Sequence, residues 1–271
     1  MKHMDVVVIG GGAAGLNGAL MLGRVRRNVL VIDAGEPRNA PAAHMHGFLT
    51  RDGMPPGELL EIGRKEVRQY GVRIADARVT EIVRDDDGFI VSYDGTEVRT
   101  KRVLVATGLV DELPDIPGLR ERWGRSVIHC PYCHGWEVRD QAIGVIGDEH
   151  LELMFRQLSD DVIRFEQDQV TAITGTADVH LDTGETIPRQ AVAIRGRHVA
   201  RSEILTQLGL TPTPHPLGEF IEADPMGRTA VPGVYVAGNV TDLSATVLMA
   251  AASGAKAGAA INFDLLQSDQ R

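Results

Sequence analysis

Two short β-branched runs, residues 5–9 and 29–32, bracket a stretch from about 14 to 24 where small and apolar residues recur at helical spacing. Strand, glycine turn, helix and strand in that order predict a parallel βαβ unit. Residues 38–56 are rich in Pro, His and Gly and read as a loop. The following "PGELLEIGRKEVRQYG" carries apolar residues at helical spacing, with Gly71 placed to stop the helix. From Val72 to Tyr93 the pattern shortens to strand-like runs, with turn signals at Asp87-Gly88 and Asp94-Gly95. "RVLVATG" (102–108) reads as a buried parallel strand ending in small residues. "DELPDIPG" (111–118), with two prolines and few apolar residues, reads as a hinge between domains. Beyond it lie the run "QAIGVIG", several short strands and helices, and a second irregular stretch marked by Pro212, Pro214 and Pro216. "TAVPGVYVAGN" (229–239) then gives a strand, and residues 244 to about 266 a long Ala-rich helix. No internal repeat and no low-complexity tail interrupt this pattern.

Composition narrows the class. A chain of 271 residues suggests one large domain or two modest ones. With 43% apolar and 24% charged residues it can bury a sizeable core. A formal charge of −9 disfavours nucleic acid or an anionic membrane as partner. Two cysteines in so long a chain do not make a secreted disulfide scaffold. The N-terminal "MKHMDVVVIGGGAAG" runs straight into a strand, without a signal-peptide core or cleavage site. No apolar run approaches the ~18 residues that would span a bilayer. A cytoplasmic enzyme is the expectation.

Gly10, Gly12 and Gly15 form G-x-G-x-x-G between strand and helix, and Asp33 follows 18 residues after Gly15. The first glycine permits a tight turn, the second lets a diphosphate approach the backbone, and the third allows close helix–strand packing. Free N–H groups at the helix start, around Ala13 and Ala14, bind the diphosphate, and an acidic residue at Asp33 accepts from a ribose. These residues point to a dinucleotide and do not distinguish FAD from NAD.

Both cysteines fall in "HCPYCHGWE", with Cys130 and Cys133 bracketed by His129 and His134. Cys-x-x-Cys-His also spells a c-type haem attachment site, which needs export and a helical haem pocket. Structural zinc usually needs four Cys/His ligands, and no second Cys pair exists, so no metal is expected. A reversible disulfide is the third reading, and a flavin would supply its two-electron partner. Thiolates are the reactive species; an imidazolium or helix N-terminus lowers a thiol pKa, and Pro131 suits the first turn of such a helix. His129 and His134 can each hold or relay the proton that leaves a substrate thiol.

Two further motifs resemble a known pattern. "ATG" (Ala106, Thr107, Gly108) and "PGVYVAGN" (232–239) are similar to the second and third FAD-contact motifs of two-dinucleotide-binding flavoprotein reductases. From end to end the chain resembles the thioredoxin-reductase-like flavoproteins. "CPYCHGWE" with "DAGEPRNAPAAHMHG" (33–47) is more similar, within them, to the dithiol oxidases that close the disulfides of gliotoxin and holomycin. Ordinary thioredoxin reductases carry Asp where this chain has His134. The resemblance implies FAD as cofactor and a homodimer. It implies FAD contacts at Val79, Gly238 and Asn239, the last replacing the usual Asp, and at Thr246 and Val247, where the last helix would turn its positive end to the flavin. It places Arg38, Asn39 and His46 near the cofactor. It makes Cys133 the thiolate against the flavin and Cys130 the cysteine that exchanges with substrate.

The pattern breaks where an NADPH-using reductase needs a second glycine turn. Here "QAIGVIGDEHLELMFRQLSDD" has Gly144 and Gly147 but no G-x-G-x-x-G/A, and Asp148 and Glu149 would face a diphosphate with negative charge. NADPH is therefore not expected to bind well, and the insert looks shorter than in the family. The expected architecture is α/β, with a Rossmann-type FAD domain over 1–113 and 222–271 and a smaller, shortened inserted redox-disulfide domain over 114–221. The expected function is FAD-dependent oxidation of a small-molecule or protein dithiol, with oxygen or another acceptor taking the electrons. Two rival readings are an NAD(P)H-dependent disulfide reductase and a redox-sensing flavoprotein that does not turn over.

Overall fold

The computed structural model describes residues 2–270 and divides into two compact units. The first opens with β1 (Lys2–Ile9), α1 (Ala13–Arg24) and β2 (Val29–Asp33), the βαβ unit expected from the sequence. It continues with α2 (Pro56–Gln69), β3 (Arg73–Asp76), β4 (Val79–Asp85), β5 (Gly88–Tyr93) and β6 (Thr96–Val105). The sheet runs β3-β2-β1-β6-β5-β4. Its parallel strands are buried on both faces, so they read as continuous apolar runs. Alternate residues serve two cores: Val7, Ile9, Leu30, Ile32, Val103 and Val105 face one, while Val6, Val8, Val29, Val31 and Leu104 face the other.

β6 is longer than the buried run at 102–108 suggested. Its first half forms a hairpin with β5 through Asp94 and Gly95, both at positive φ, and its second half lies parallel to β1. The chain leaves this unit through β7 (Leu109–Glu112), so the start of the expected hinge is a strand.

The second unit comprises Asn39–Pro56 and Asp111–Arg197. It carries β8 (Val127–Ile128), α3 (Pro131–His134), β9 (Ile143–Ile146), α4 (Glu149–Phe155) and β10 (Val162–Phe165). Next come β11 (Val170–Thr174), β12 (Asp178–Leu181), β13 (Thr186–Ile187) and β14 (Ala191–Ile194). β10-β9-β14-β8 is a parallel sheet, and β11-β12-β13 an antiparallel one. Pro41 of the long loop packs against Gly124, which ties that loop to this unit.

The return to the first unit begins at β15 (Arg197–Ala200), followed by α5 (Glu203–Thr206), β16 (Thr213–His215), β17 (Gly218–Phe220), β18 (Val234–Val236) and α6 (Val247–Ser268). A four-stranded sheet has the order β16-β17-β15-β7, and β18 joins the large sheet parallel to β6. Residues 198–221, assigned to the insert from sequence, cluster with the first unit instead. Ala200, Ile204, Leu205, Leu210 and Ile221 are buried in its core, which a break at 222 would have split. The proline-marked stretch at 212–216 is also more regular than expected: Pro214 sits in β16, an edge strand where a missing N–H is tolerated. Among the described residues, no helix is long and apolar enough to cross a membrane.

Candidate active site

Within the first unit, the chemistry-bearing turns stand in one row at the C-terminal ends of parallel strands, where open α/β sheets bind ligands. Ile9 pairs in register with both Ile32 and Val105, and Val105 with Val236. The residues that follow therefore lie side by side: Asp33 after β2, Gly10 after β1, Ala106 after β6 and Ala237-Gly238 after β18. Gly10 adopts φ +102°, and a Cβ there would run into the Ala106 carbonyl. A Cβ on Gly15 would run into the Gly10 carbonyl, so this glycine lets α1 close on its own turn. At Gly12 an added Cβ would meet nothing within 4 Å. The turn thus has two glycines packed against protein and one facing open space.

Ala13 and Ala14 begin α1; no side chain caps this helix, and no acidic residue lies in its first turn. Exposed N–H groups with the positive end of the helix dipole suit an anionic diphosphate. The residues present fit a dinucleotide such as FAD. Gly238, at φ +76°, sits against Ala14, and Thr246 caps α6 by accepting from Met249 N–H, with Val247 as the first helical residue. Asn239 donates from Nδ2 to the carbonyls of Asp242 and Ala245, both at 3.0 Å. Asp could not make these bonds. The extra donor gained by Asn is spent on the loop leading into α6, and Oδ1 is the atom left for a ligand.

Several partners of this row were invisible in the sequence. Arg64, on α2, pairs with the Asp33 carboxylate and also with Asp76 at 2.6 Å. Thr107 donates from its hydroxyl to the Arg201 carbonyl at 2.7 Å, and the Gly108 carbonyl accepts from Arg201 N–H. Arg201 also reaches the Glu36 carbonyl at 2.9 Å. Arg38 contacts the buried His198 at 3.3 Å. Val79 is buried in the core, which leaves only its backbone for a ligand.

In the second unit, Cys130 and Cys133 form a disulfide where β8 hands over to α3. Cys130 is the N-cap and Pro131 opens the turn, as its missing N–H allows. His129 stacks on Trp123, with ring centroids 5.5 Å apart. His134 is largely buried, and its Nδ1 is a buried atom without a hydrogen-bond partner. Burial pushes its pKa below the usual imidazole value; Glu137 pulls the other way and His46 adds to the lowering. His46 sits in this unit with Nδ1 at 3.4 Å from Asp52 and Nε2 at 3.4 Å from Glu137. Asn39 begins the same loop segment. Tyr132 and Trp136 are exposed beside the cysteines, with Arg139 stacked 4.1 Å from the indole centroid. Among the described residues, no group of three His, Cys, Asp or Glu side chains could hold a metal ion.

A second βα turn, at Gly147, lies between β9 and α4. Asp148 is the N-cap of α4: its carboxylate accepts from Leu151 N–H at 2.8 Å and pairs with Arg195 at 2.8 Å. An arginine is therefore close to this turn, contrary to the sequence expectation, and the acidic residue already holds it.

Comparison with known proteins agrees with this geometry. Thioredoxin reductase sirT of Leptosphaeria maculans is 31% identical over 313 aligned positions, covering 98% of this chain and 95% of that protein. The alignment is longer than this chain, so the relative carries segments absent here. The structure of an oxidoreductase from Agrobacterium tumefaciens superposes with a TM-score of 0.92 at 36% identity, covering 98% and 99% of the two chains. That of HlmI gives 0.91 at 43%, covering 98% and 94%. Fold and disulfide together define a thioredoxin-reductase-like disulfide oxidoreductase. The chain belongs to the pyridine nucleotide-disulphide oxidoreductase family, whose profile matches residues 4–148, and the members of this family are flavoproteins acting on dithiol or disulfide substrates.

Proposed function

We propose that this protein is an FAD-dependent dithiol oxidase. FAD would lie along the row from Asp33 to Asn239, with its diphosphate at Gly12 and the start of α1 and its adenosine ribose at Asp33. A substrate thiol gives its proton to His134 as its sulfur attacks Cys130. The Cys130–Cys133 bond breaks, and Cys133 leaves as thiolate with the electron pair. The second substrate thiol then attacks the mixed disulfide, releasing substrate as a disulfide and Cys130 as a thiol. When bound, FAD supplies the two-electron acceptor that restores the cysteine disulfide and passes electrons on to oxygen.

The observation that carries this direction is Asp148. A reductase draws electrons from a pyridine nucleotide whose diphosphate needs free N–H groups and positive charge. Here a carboxylate caps the α4 turn and engages Arg195. The printed names of relatives such as thioredoxin reductase sirT favour the opposite reading, a disulfide reductase fed by NADPH. Anaerobic spectral titration separates the two. A small dithiol should bleach the flavin much faster than NADPH or NADH; rapid, saturable bleaching by micromolar NADPH would overturn the oxidase reading.

A further inference from the structure

The loop that carries His46 has a construction of its own. Met45 and Met54 pair through their backbones, Gly53 N–H donates to the Met45 carbonyl, and Gly47 N–H donates to the Asp52 carboxylate at 2.8 Å. These bonds hold Asp52 at one nitrogen of the His46 ring, and Glu137 of the turn after α3 stands at the other. Glu137 follows His134 by three residues, and its charge and that of His46 both act on the His134 ring. Four titratable groups thus stand in sequence beside the disulfide: His134, Glu137, His46 and Asp52. The first is largely buried, while the last has a side chain 65% exposed. With an acceptor at each ring nitrogen, an imidazole can take a proton on one side and release one on the other. Arg139 is the other charged group here, and it is engaged with the Trp136 ring and carbonyl.

We propose that His46 is a positioning residue for thiol–disulfide exchange, which governs how readily His134 takes the substrate proton and carries that proton out to solvent at Asp52. The balance is complete without a further reactant. The thiol proton moves to His134 while the sulfur forms its bond to Cys130, and the Cys130–Cys133 bond breaks with its electron pair on Cys133. From His134 the proton passes to Glu137, across His46 to Asp52, and into water. A histidine that merely pinned the loop to the α3 turn would need one carboxylate partner; the second, on the solvent side, gives the path an exit.

This inference rests on the proposed exchange at Cys130 but not on its direction, so its test does not use the flavin. Oxidised holoprotein is mixed anaerobically with excess dithiothreitol from pH 5 to 8, quenched with an alkylating reagent, and scored by mass for opened Cys130–Cys133. The rate should fall on the acid side as His134 becomes protonated. His46→Gln should move that acid limb upward by about half a pH unit or more, because a charge opposing protonation of His134 is gone. Glu137→Gln should move it downward, because a charge favouring protonation is gone. Asp52→Asn should move it upward by less than His46→Gln, and as an exposed substitution it keeps the test available if His46→Gln folds poorly. Opposite shifts for His46→Gln and Glu137→Gln support the relay, since loss of a structural pin gives no such pair of signs. Unchanged limbs, or shifts in one common direction, would overturn it whichever way electrons flow.

Discussion

The guanidinium of Arg195 lies 2.8 Å from the carboxylate of Asp148, which also accepts from the N–H of Leu151. One acidic residue thus closes the start of α4 and neutralises the nearest arginine. Asp148→Ala should cost about 1 kcal/mol of stability, the usual worth of an N-cap side chain, measured by denaturant midpoint. It should also free Arg195 and raise the weak affinity for ADP or NADPH, read by calorimetry. Unaltered nucleotide affinity in a folded variant would mean that Asp148 is not what keeps nucleotides away.

The three glycines of the first turn should separate stability from cofactor binding. A Cβ at Gly12 meets no protein atom, so Gly12→Ala should leave the apoprotein within about 1 kcal/mol of wild type, the difference between two poor N-caps. It should nevertheless lose FAD on gel filtration. Gly10→Ala would need a residue with a side chain at φ +102° against the Ala106 carbonyl, and should cost about 2 kcal/mol or more before any cofactor is added. Equal stability losses at the two positions would remove the reason for placing the diphosphate at Gly12.

Asp33 is held on its strand end by Arg64, which also binds Asp76. Asp33→Ala removes a charge-assisted acceptor, worth roughly 1.5–3 kcal/mol, so the Kd for FAD should rise about tenfold to a hundredfold. Released cofactor should run as FAD on chromatography, since this end of the row recognises the adenosine half. An FMN peak, or an unchanged Kd, would contradict the assignment.

What the sequence exposed and what it hid follow from distance along the chain. The βαβ unit and the Asp94-Gly95 hairpin turn are local, written in neighbouring residues, and they stand where the patterns put them. The partners of the row are not local: Thr107 and Arg201 are 94 residues apart, Arg38 and His198 are 160. Nothing in the periodicity around residue 200 marks an arginine that seals the turn after β6. The start of α6 shows a finer limit. Ser244 and Thr246 are both good N-caps, but Asp242 takes the Ser244 N–H and hydroxyl, and the cap passes to Thr246.

The two cysteines should differ in kind. By the roles carried over from the family resemblance, Cys133→Ser should abolish dithiol-driven bleaching and any long-wavelength thiolate-to-flavin absorbance. Cys130→Ser should leave a thiolate that shows that absorbance permanently, while exchange with substrate stops. A Cys130 variant without the band beside a Cys133 variant that keeps it would reverse the assignment.

His134 should make stability depend on pH in a definite sense. Burial disfavours its charged form, so in the folded protein its pKa lies below 6.5. In the unfolded chain the ring takes its proton near pH 6.5, so below that pH the unfolded state binds more protons and is favoured. The contribution is therefore complete above about pH 6.5 and is lost as pH falls toward the folded value. The other histidines titrate too, and the difference between wild type and His134→Gln isolates this one. Denaturant midpoints of the oxidised protein, taken between pH 5 and 7.5, should fall with acid more steeply in wild type than in the variant. Parallel curves would show that the ring is as free to ionise in the folded protein as in water. A neutral base beside Cys130 at physiological pH would then need another explanation.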